Sequence, residues 1–338
     1  MSVATPPVKL SRNDFKTEQE VRWCPGCGDY AILAQFQKVF PTLGLPREKF
    51  AVISGIGCSS RFPYYMDTYG FHTIHGRAPA VATGLKIMNP DLSVWVITGD
   101  GDGLSIGGNH LIHAMRRNID LNIVLFNNQI YGLTKGQYSP TSEFGKRTKS
   151  TPYGSVDEPF RPLSVAIGAE ASFIARAADR EQKLLGNILV EAGKHKGTSF
   201  IEIYQNCPIF NDGAFFDVTE KATKDENQLI VEHGKPLVFN KGTQGVIFDC
   251  YTPRVVNVEE VGIEQITVHR EDGPLGYHLA LARMRGPELP TALGIIRRVE
   301  RPAYDELVNA QVETEIDKKG RGDLAALLNS GHRWTVGG

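Results

Sequence analysis

The residues of this chain whose types and spacing could do chemistry form two sets, one offering oxygen ligands and one offering sulfur. The first begins at Gly99-Asp100-Gly101-Asp102-Gly103 and is completed, after about 25 further residues, by Asn127-Asn128. Glycines let a backbone come close to phosphate oxygens. A helix starting directly after them offers free N–H groups and the positive end of its dipole. Mg²⁺ prefers a few hard oxygens in octahedral geometry and takes the rest from phosphate and water. Asp100 can supply a carboxylate, Asn128 an amide oxygen and Ile130 a backbone carbonyl. Taken singly, Gly-Asp-Gly also reads as a tight turn and Asn-Asn as a strand end. At this spacing the pair points to a diphosphate held through a metal. A Walker-type loop is excluded, because no Gly-Lys-Ser/Thr ending follows the glycines.

The sulfur set is Cys24 and Cys27 in Trp23-Cys24-Pro25-Gly26-Cys27-Gly28, Cys58 in Gly57-Cys58-Ser59-Ser60-Arg61, and Cys207 in Asn206-Cys207-Pro208. Four thiolates from three loops can converge on one iron–sulfur cluster, and a Cys followed by Pro is a familiar cluster ending. Structural zinc usually takes two CxxC knuckles, whereas two of these four cysteines stand alone. Zinc and unligated core cysteines stay open as alternatives. Cys250 has no partner at ligand spacing and reads as an ordinary buried cysteine. The polar residues 1–20 contain no apolar signal-type stretch, so the five cysteines are expected to serve metal or redox chemistry in a reducing compartment, the cytoplasm.

Elements at regular intervals must position these groups. Apolar runs at 50–54, 93–98, 121–126 and 200–204 read as buried strands. Stretches at 30–40, 78–88, 104–117 and 180–194 read as helices, with Leu33, Phe36 and Phe40 on one face of the first. Alternation of this kind implies a parallel sheet covered on both sides. The two halves of the diphosphate motif then lie at the carboxyl ends of neighbouring strands, where open α/β sheets bind ligands. Residues 132–162 turn to Gly, Ser, Thr, Pro and Lys, a long loop of the kind that is usually functional. Three parts are expected: an arm over 1–20, a cofactor-binding domain over 21–207, and a less regular extension over 208–338. The extension holds a strand at 245–248 and a helix at 275–284, and packs on the domain or on a partner.

With 37 basic and 38 acidic side chains among 338 residues, charge provides no reason to expect nucleic acid or an anionic membrane as partner. No apolar run is long enough to span a bilayer.

The diphosphate pair resembles the signature of thiamine-diphosphate enzymes, and this likeness implies Asp100, Asn128 and the Ile130 carbonyl as Mg²⁺ ligands. A longer series is more specific. It comprises Cys-Pro-Gly-Cys-Gly at 24–28, Gly55-Ile56-Gly57-Cys58-Ser59-Ser60-Arg61, His72-Thr73-Ile74-His75-Gly76-Arg77-Ala78, and Tyr131-Gly132-Leu133-Thr134-Lys135-Gly136-Gln137 with Ser139-Pro140-Thr141. Together with Asn206-Cys207-Pro208, it looks like the β subunit of 2-oxoacid:ferredoxin oxidoreductases over about residues 20–215, the 2-oxoglutarate branch matching best.

That resemblance implies a doubly wound parallel α/β sheet of the thiamine-diphosphate-binding type and a 4Fe-4S cluster on Cys24, Cys27, Cys58 and Cys207. The implied reaction is oxidative decarboxylation of a 2-oxoacid with coenzyme A to acyl-CoA and CO₂, electrons passing to ferredoxin, and it can run in reverse. Ile56, Gly57, Cys58, Ser59 and His75 are then expected against the cofactor. Gly132, Leu133 and Thr134 are expected against its diphosphate beside Gly99 and Gly101. Arg61 matches a basic position facing the 2-oxoacid, where it could grip a carboxylate bidentately. Asp102 is expected as either a supporting acceptor or a helix N-cap.

The Glu that protonates the cofactor's aminopyrimidine ring lies, in this family, on a second module carried by an α subunit. An αβ or (αβ)₂ assembly is therefore expected. A homodimer using Glu220, Glu226 or Glu232 is the alternative. Other readings are pyruvate or branched-chain 2-oxoacid specificity, a non-oxidative thiamine enzyme with structural zinc, and a cofactor-free assembly subunit.

Overall fold

Phe50-Ala51-Val52-Ile53-Ser54 is apolar without alternation, so both faces of this strand must be covered. The fold meets that demand for every central strand. The computed structural model describes residues 10–337, and their principal element is an eight-stranded sheet. Its first part is built from α1 (Asp29–Val39), β1 (Phe50–Ser54), β2 (Tyr69–His72), α2 (Ala78–Met88), β3 (Ser93–Gly99), α3 (Asp100–Leu104), α4 (Gly108–Arg117) and β4 (Asn122–Asn127). It continues through α5 (Pro162–Gly168), β5 (Phe173–Ala178), α6 (Gln182–Lys194) and β6 (Ser199–Tyr204). Strands β1, β3, β4 and β6 are consecutive neighbours and all parallel, so their four carboxyl ends form one rim.

Side chains alternate across the pleat and split the core into two layers. Ala51, Ile53, Val94, Val96, Ile123 and Leu125 face α2, α4 and α5. Phe50, Val52, Trp95, Ile97, Val124 and Phe126 face α1 and α6, where Leu33, Phe36 and Phe40 are buried as their helical spacing requires. In the arm, residues 1–9 lie outside the described residues. Phe15 is fully buried and meets Phe40 and Phe50 edge-on, pinning the remainder of the arm to this layer.

Three expectations are corrected. The helix expected over 104–117 is two helices, because the Gly76 backbone crosses at Gly107: a Cβ on Gly76 would come within 2.5 Å of Gly107 N. Cys250 is exposed, at φ 54° in the hairpin tip between Asp249 and Thr252, where no core reaches it. The extension also enters the main sheet. It contributes β7 (Gln228–Val231), β8 (Val238–Phe239), β9 (Gln244–Asp249), β10 (Thr252–Asn257) and β11 (Thr291–Arg298). β11 pairs antiparallel with β5 and parallel with β7 at the sheet edge, while β8, β9 and β10 form a small antiparallel sheet. Short strands separated by polar sequence carry too little periodicity to announce such a long-range pairing. Among the described residues no helix is long and apolar enough to cross a membrane.

Candidate active site

Four turns of the candidate site leave the neighbouring parallel strands β1, β3, β4 and β6, and the turn carrying His75 and Gly76 leaves β2. β1 runs into Gly55–Ser59, β3 into Gly99–Gly103, β4 into Asn127–Thr134, and β6 into Gln205–Cys207. Together they enclose a cavity of about 550 Å³. Its wall contains Ile56, Gly57, Cys58, Ser59, His75, Gly99, Asp100, Gly101, Asp102, Asn128, Ile130, Gly132, Leu133 and Thr134, the full set of oxygen-ligand and cofactor positions singled out by their motifs. Asp29, Phe126, Tyr131, Gln137 and Gln205 complete it.

Asp100 opens α3 and is 2% exposed, with no basic side chain paired to it among the described residues. Its Oδ2 accepts hydrogen bonds from the Ser139 and Thr141 hydroxyls, the latter at 2.6 Å. Burial pushes its carboxyl up to about 6 against the pull of these hydroxyls. A buried carboxyl without a counter-charge fits a metal ligand, because a cation would supply the missing charge. Asn128 donates through Nδ2 to Gln205 Oε1 at 2.9 Å and accepts at Oδ1 from Ile130 N–H at 3.2 Å. Between them Gln129 takes φ 56°, turning the chain sharply at the strand end.

Asp102 is an acceptor hub and not the cap, for Gly99 occupies the N-cap position. Its Oδ1 accepts from the backbone N–H groups of Ile56 at 3.1 Å and Gly76 at 2.7 Å, and lies 2.7 Å from His75 Nδ1. Its Oδ2 accepts from the Thr98 hydroxyl at 2.6 Å. One carboxylate thus ties the turns after β1 and β3 to the His75 loop. The approach is so close that a Cβ on Gly55 would sit 2.0 Å from Asp102 Oδ2. A Cβ on Gly101 would likewise strike the Tyr131 ring at 2.1 Å, and the Tyr131 hydroxyl donates to the Gly101 carbonyl.

Cys58 and Cys207 stand on either side of Gly132 at the cavity wall, and Cys27 lies against Gln205 of the same wall. Trp23 Nε1 donates to the Cys58 carbonyl at 2.7 Å, docking the CxxC knuckle on the β1 turn. A Cβ on Gly132 would stand 3.4 Å from Cys58 Sγ and 3.8 Å from Cys207 Sγ. Burial pushes the Cys58 thiol up to about 12, with Asp29, Cys207 and Cys24 adding to it. Burial and Asp29 likewise raise Cys27, with smaller additions from Cys207 and Cys58. Cys207 and Cys58 thus act on Cys27, and Cys207 and Cys24 act on Cys58. Cys207 is buried and Cys24 exposed, so the set runs from the cavity wall to the surface. Among the described residues no three His, Cys, Asp or Glu side chains gather as a single metal ion requires.

Arg61 is the one motif-derived candidate of the oxygen-ligand side that the cavity wall leaves out. It sits half-buried one turn beyond Cys58 in the 3₁₀ helix Ser59–Tyr65, and its Nε is a buried donor without a partner in the described chain. Asp29 and Gln205 were not legible as site residues. Asp29 is 1% exposed, its Oδ1 has no hydrogen-bond partner, and burial followed by Asp179 pushes its carboxyl up to about 7. Its only advance signal was an acid placed two residues after a CxxC knuckle. Gln205 had none beyond its place before Asn206-Cys207.

Residues 55–203 match the family model described as the thiamine pyrophosphate enzyme C-terminal TPP binding domain. The chain is 54% identical over 329 residues to the 2-oxoglutarate oxidoreductase subunit KorB of Mycobacterium tuberculosis, covering 96% of this chain and 88% of that one. It is 47% identical to the 2-oxoglutarate synthase subunit KorB of Archaeoglobus fulgidus over 55% of this chain and 69% of the other. A solved structure, a 2-oxoglutarate:ferredoxin oxidoreductase from Magnetococcus marinus with 2-oxoglutarate, coenzyme A and succinyl-CoA bound, superposes with a TM-score of 0.77 at 32% identity. That match covers 97% of this chain and 98% of the other.

Proposed function

The chain belongs to the β-subunit family of 2-oxoacid:ferredoxin oxidoreductases, and from that premise we propose that it is the cofactor-bearing subunit of a 2-oxoglutarate:ferredoxin oxidoreductase. Its product with coenzyme A is succinyl-CoA, formed with release of CO₂. The observation that carries this reading is the sharing of one turn by two sites: Cys58 lines the diphosphate cavity and also stands among the four thiols.

Thiamine diphosphate, when bound, supplies the reactive carbon that takes up the keto group and holds the electrons left by decarboxylation. The protein's part is to position and to insulate. Asp100, Asn128 and the Ile130 carbonyl would hold Mg²⁺, and Gly99, Gly101, Gly132, Leu133 and Thr134 would flank the diphosphate. Ile56–Ser59 and His75 would line the ring side. Asp102 holds a proton on His75 Nδ1 and so leaves Nε2 for the cavity. Cys24, Cys27, Cys58 and Cys207 would carry a 4Fe-4S cluster that accepts electrons, and Cys58 also lines the cofactor cavity. Arg61, with an unspent guanidinium N–H beside that turn, is assigned to the 2-oxoacid carboxylate.

A partner is needed to close the site. β2 is an edge strand with all four residues exposed, and Tyr69, Phe71 and Ile74 are exposed together with Ile56 of the cavity wall. We assign that surface to an α subunit carrying the pyrimidine-binding module, in an αβ or (αβ)₂ complex of the cytoplasm. Residues 21–207 would then form the cofactor-binding unit, with 208–338 buttressing its far edge.

The test is anaerobic co-expression with the α subunit, followed by assay of 2-oxoglutarate- and CoA-dependent ferredoxin reduction. Turnover with the complex and none with this chain alone is expected. Turnover by the lone reconstituted chain, or a complex that decarboxylates without reducing ferredoxin, would reject the reading.

A further inference from the structure

Gln205 is hydrogen-bonded to both halves of the site, to Asn128 on one side and Cys27 on the other. It follows β6 and is 1% exposed. Its Nε2 donates to the Asn206 carbonyl and to Cys27 Sγ at 3.3 Å, and its Oε1 accepts from Asn128 Nδ2 at 2.9 Å. Backbone groups fix the sense of this chain. The Asn206 carbonyl can only accept, so Gln205 must turn Nε2 toward it and Oε1 toward Asn128. Asn128 must then give its N–H to Gln205 and keep Oδ1 on the side of Ile130, whose backbone N–H can only donate. Both protons of the Gln205 amide are used, and rotating it by half a turn would set oxygen against a carbonyl and a sulfur.

Two consequences follow. With its nitrogen engaged, Asn128 keeps the second lone pair of Oδ1, beside the Ile130 N–H, for coordination. A partner beyond the coordinating atom that fixes a ligand's orientation is commonly worth tenfold or more in metal affinity. At the other end, an N–H donated to a cluster thiolate favours the more negative, reduced state and so raises the reduction potential. We propose that Gln205 is a shared positioning residue that orients Asn128 toward the metal of the diphosphate site and, through its bond to Cys27, tunes the adjacent cluster. The inference rests on the cofactor assignments above. It places within one amide the link between the site where electrons are released and the site that receives them.

The experiment uses the anaerobically purified αβ complex carrying Gln205→Leu or Gln205→Glu. The cluster midpoint potential is read by EPR-monitored titration. Metal affinity is read from Mn²⁺ EPR in the presence of thiamine diphosphate after chelation, and thermal melting confirms the fold. Gln205→Leu removes both arms without adding charge: a more negative potential and Mn²⁺ binding weakened about tenfold are expected. Gln205→Glu keeps the acceptor for Asn128 and loses the donor to Cys27, so Mn²⁺ affinity should stay near that of the unmodified complex while the potential falls. Unchanged potential and affinity in Gln205→Leu would overturn the proposal, and movement of only one of them would overturn the shared role. An unmodified complex lacking iron, or lacking Mn²⁺ binding with thiamine diphosphate, would overturn the functional reading and the inference with it.

Discussion

His75 Nδ1 lies 2.7 Å from Asp102 Oδ1, and the two differ sharply in exposure: the Asp102 side chain is 1% exposed and that of His75 39%. The buried partner fixes the tautomer and the ring plane, and the open partner presents Nε2 to the cavity. Asp102 also accepts from Ile56, Gly76 and Thr98, so the dyad is braced by three elements. Asp102→Asn would set an amide N–H₂ against one or more of these donors and is expected to destabilise the fold by about 2 kcal/mol. His75→Ala should melt near the unmodified protein yet lose most of its turnover. Comparing melting and ferredoxin reduction in the two variants separates the bracing role from the chemical one; equal melting of both would remove the hub assignment.

The metal assignment gives a pH-dependent signature. Burial lifts the Asp100 carboxyl from 3.8 to about 6, so the folded, metal-free protein holds this proton more tightly than the unfolded chain does. Its contribution is fully present below about pH 4 and is lost as pH rises through 6, a change of about 3 kcal/mol. Asp100→Asn should therefore stabilise the metal-free protein at pH 7 while weakening Mg²⁺-dependent cofactor retention. Denaturant melts at pH 5 and pH 7, with and without Mg²⁺ and thiamine diphosphate, check both signs.

Single Ala substitutions at Cys24, Cys27, Cys58 and Cys207 are each expected to abolish the cluster's visible absorbance and ferredoxin reduction. Cys250→Ala should leave both intact, since Cys250 sits exposed on a hairpin tip. Iron and acid-labile sulfide assays of anaerobically purified protein provide the measurement, and zinc in place of iron would reject the cluster.

For Arg61, loss of a charge-assisted contact to a carboxylate is worth roughly 2 kcal/mol, so Arg61→Ala should raise KM for 2-oxoglutarate by about thirtyfold with a smaller change in kcat. Arg61→Lys should recover only part, because an ammonium lacks the bidentate fork. A KM unchanged in Arg61→Ala would move the carboxylate contact to the partner subunit.

What the sequence determined by itself is local: Gly-Asp-Gly after one strand, Asn-Asn after the next, Cys-Pro-Gly-Cys and the Gly-Cys-Ser turn. Each of these is short and tied to a strand end, and parallel strands place such ends on one rim whatever the loops do. That is why the whole oxygen-ligand set lines a single cavity. Tertiary structure alone decided the rest. Asp29 and Gln205 belong to the site because α1 and β6 bring them to it from 176 positions apart in the sequence. The strands β7 and β11 complete the sheet through pairings that no local pattern records, and Arg61 stands outside the cavity wall in the 3₁₀ turn that follows Cys58. Periodicity and spacing report which face of an element is apolar and where it ends. They hold no record of which distant buried polar groups must find one another once water is excluded, and it is that requirement which joined Asn128, Gln205 and Cys27 into one chain.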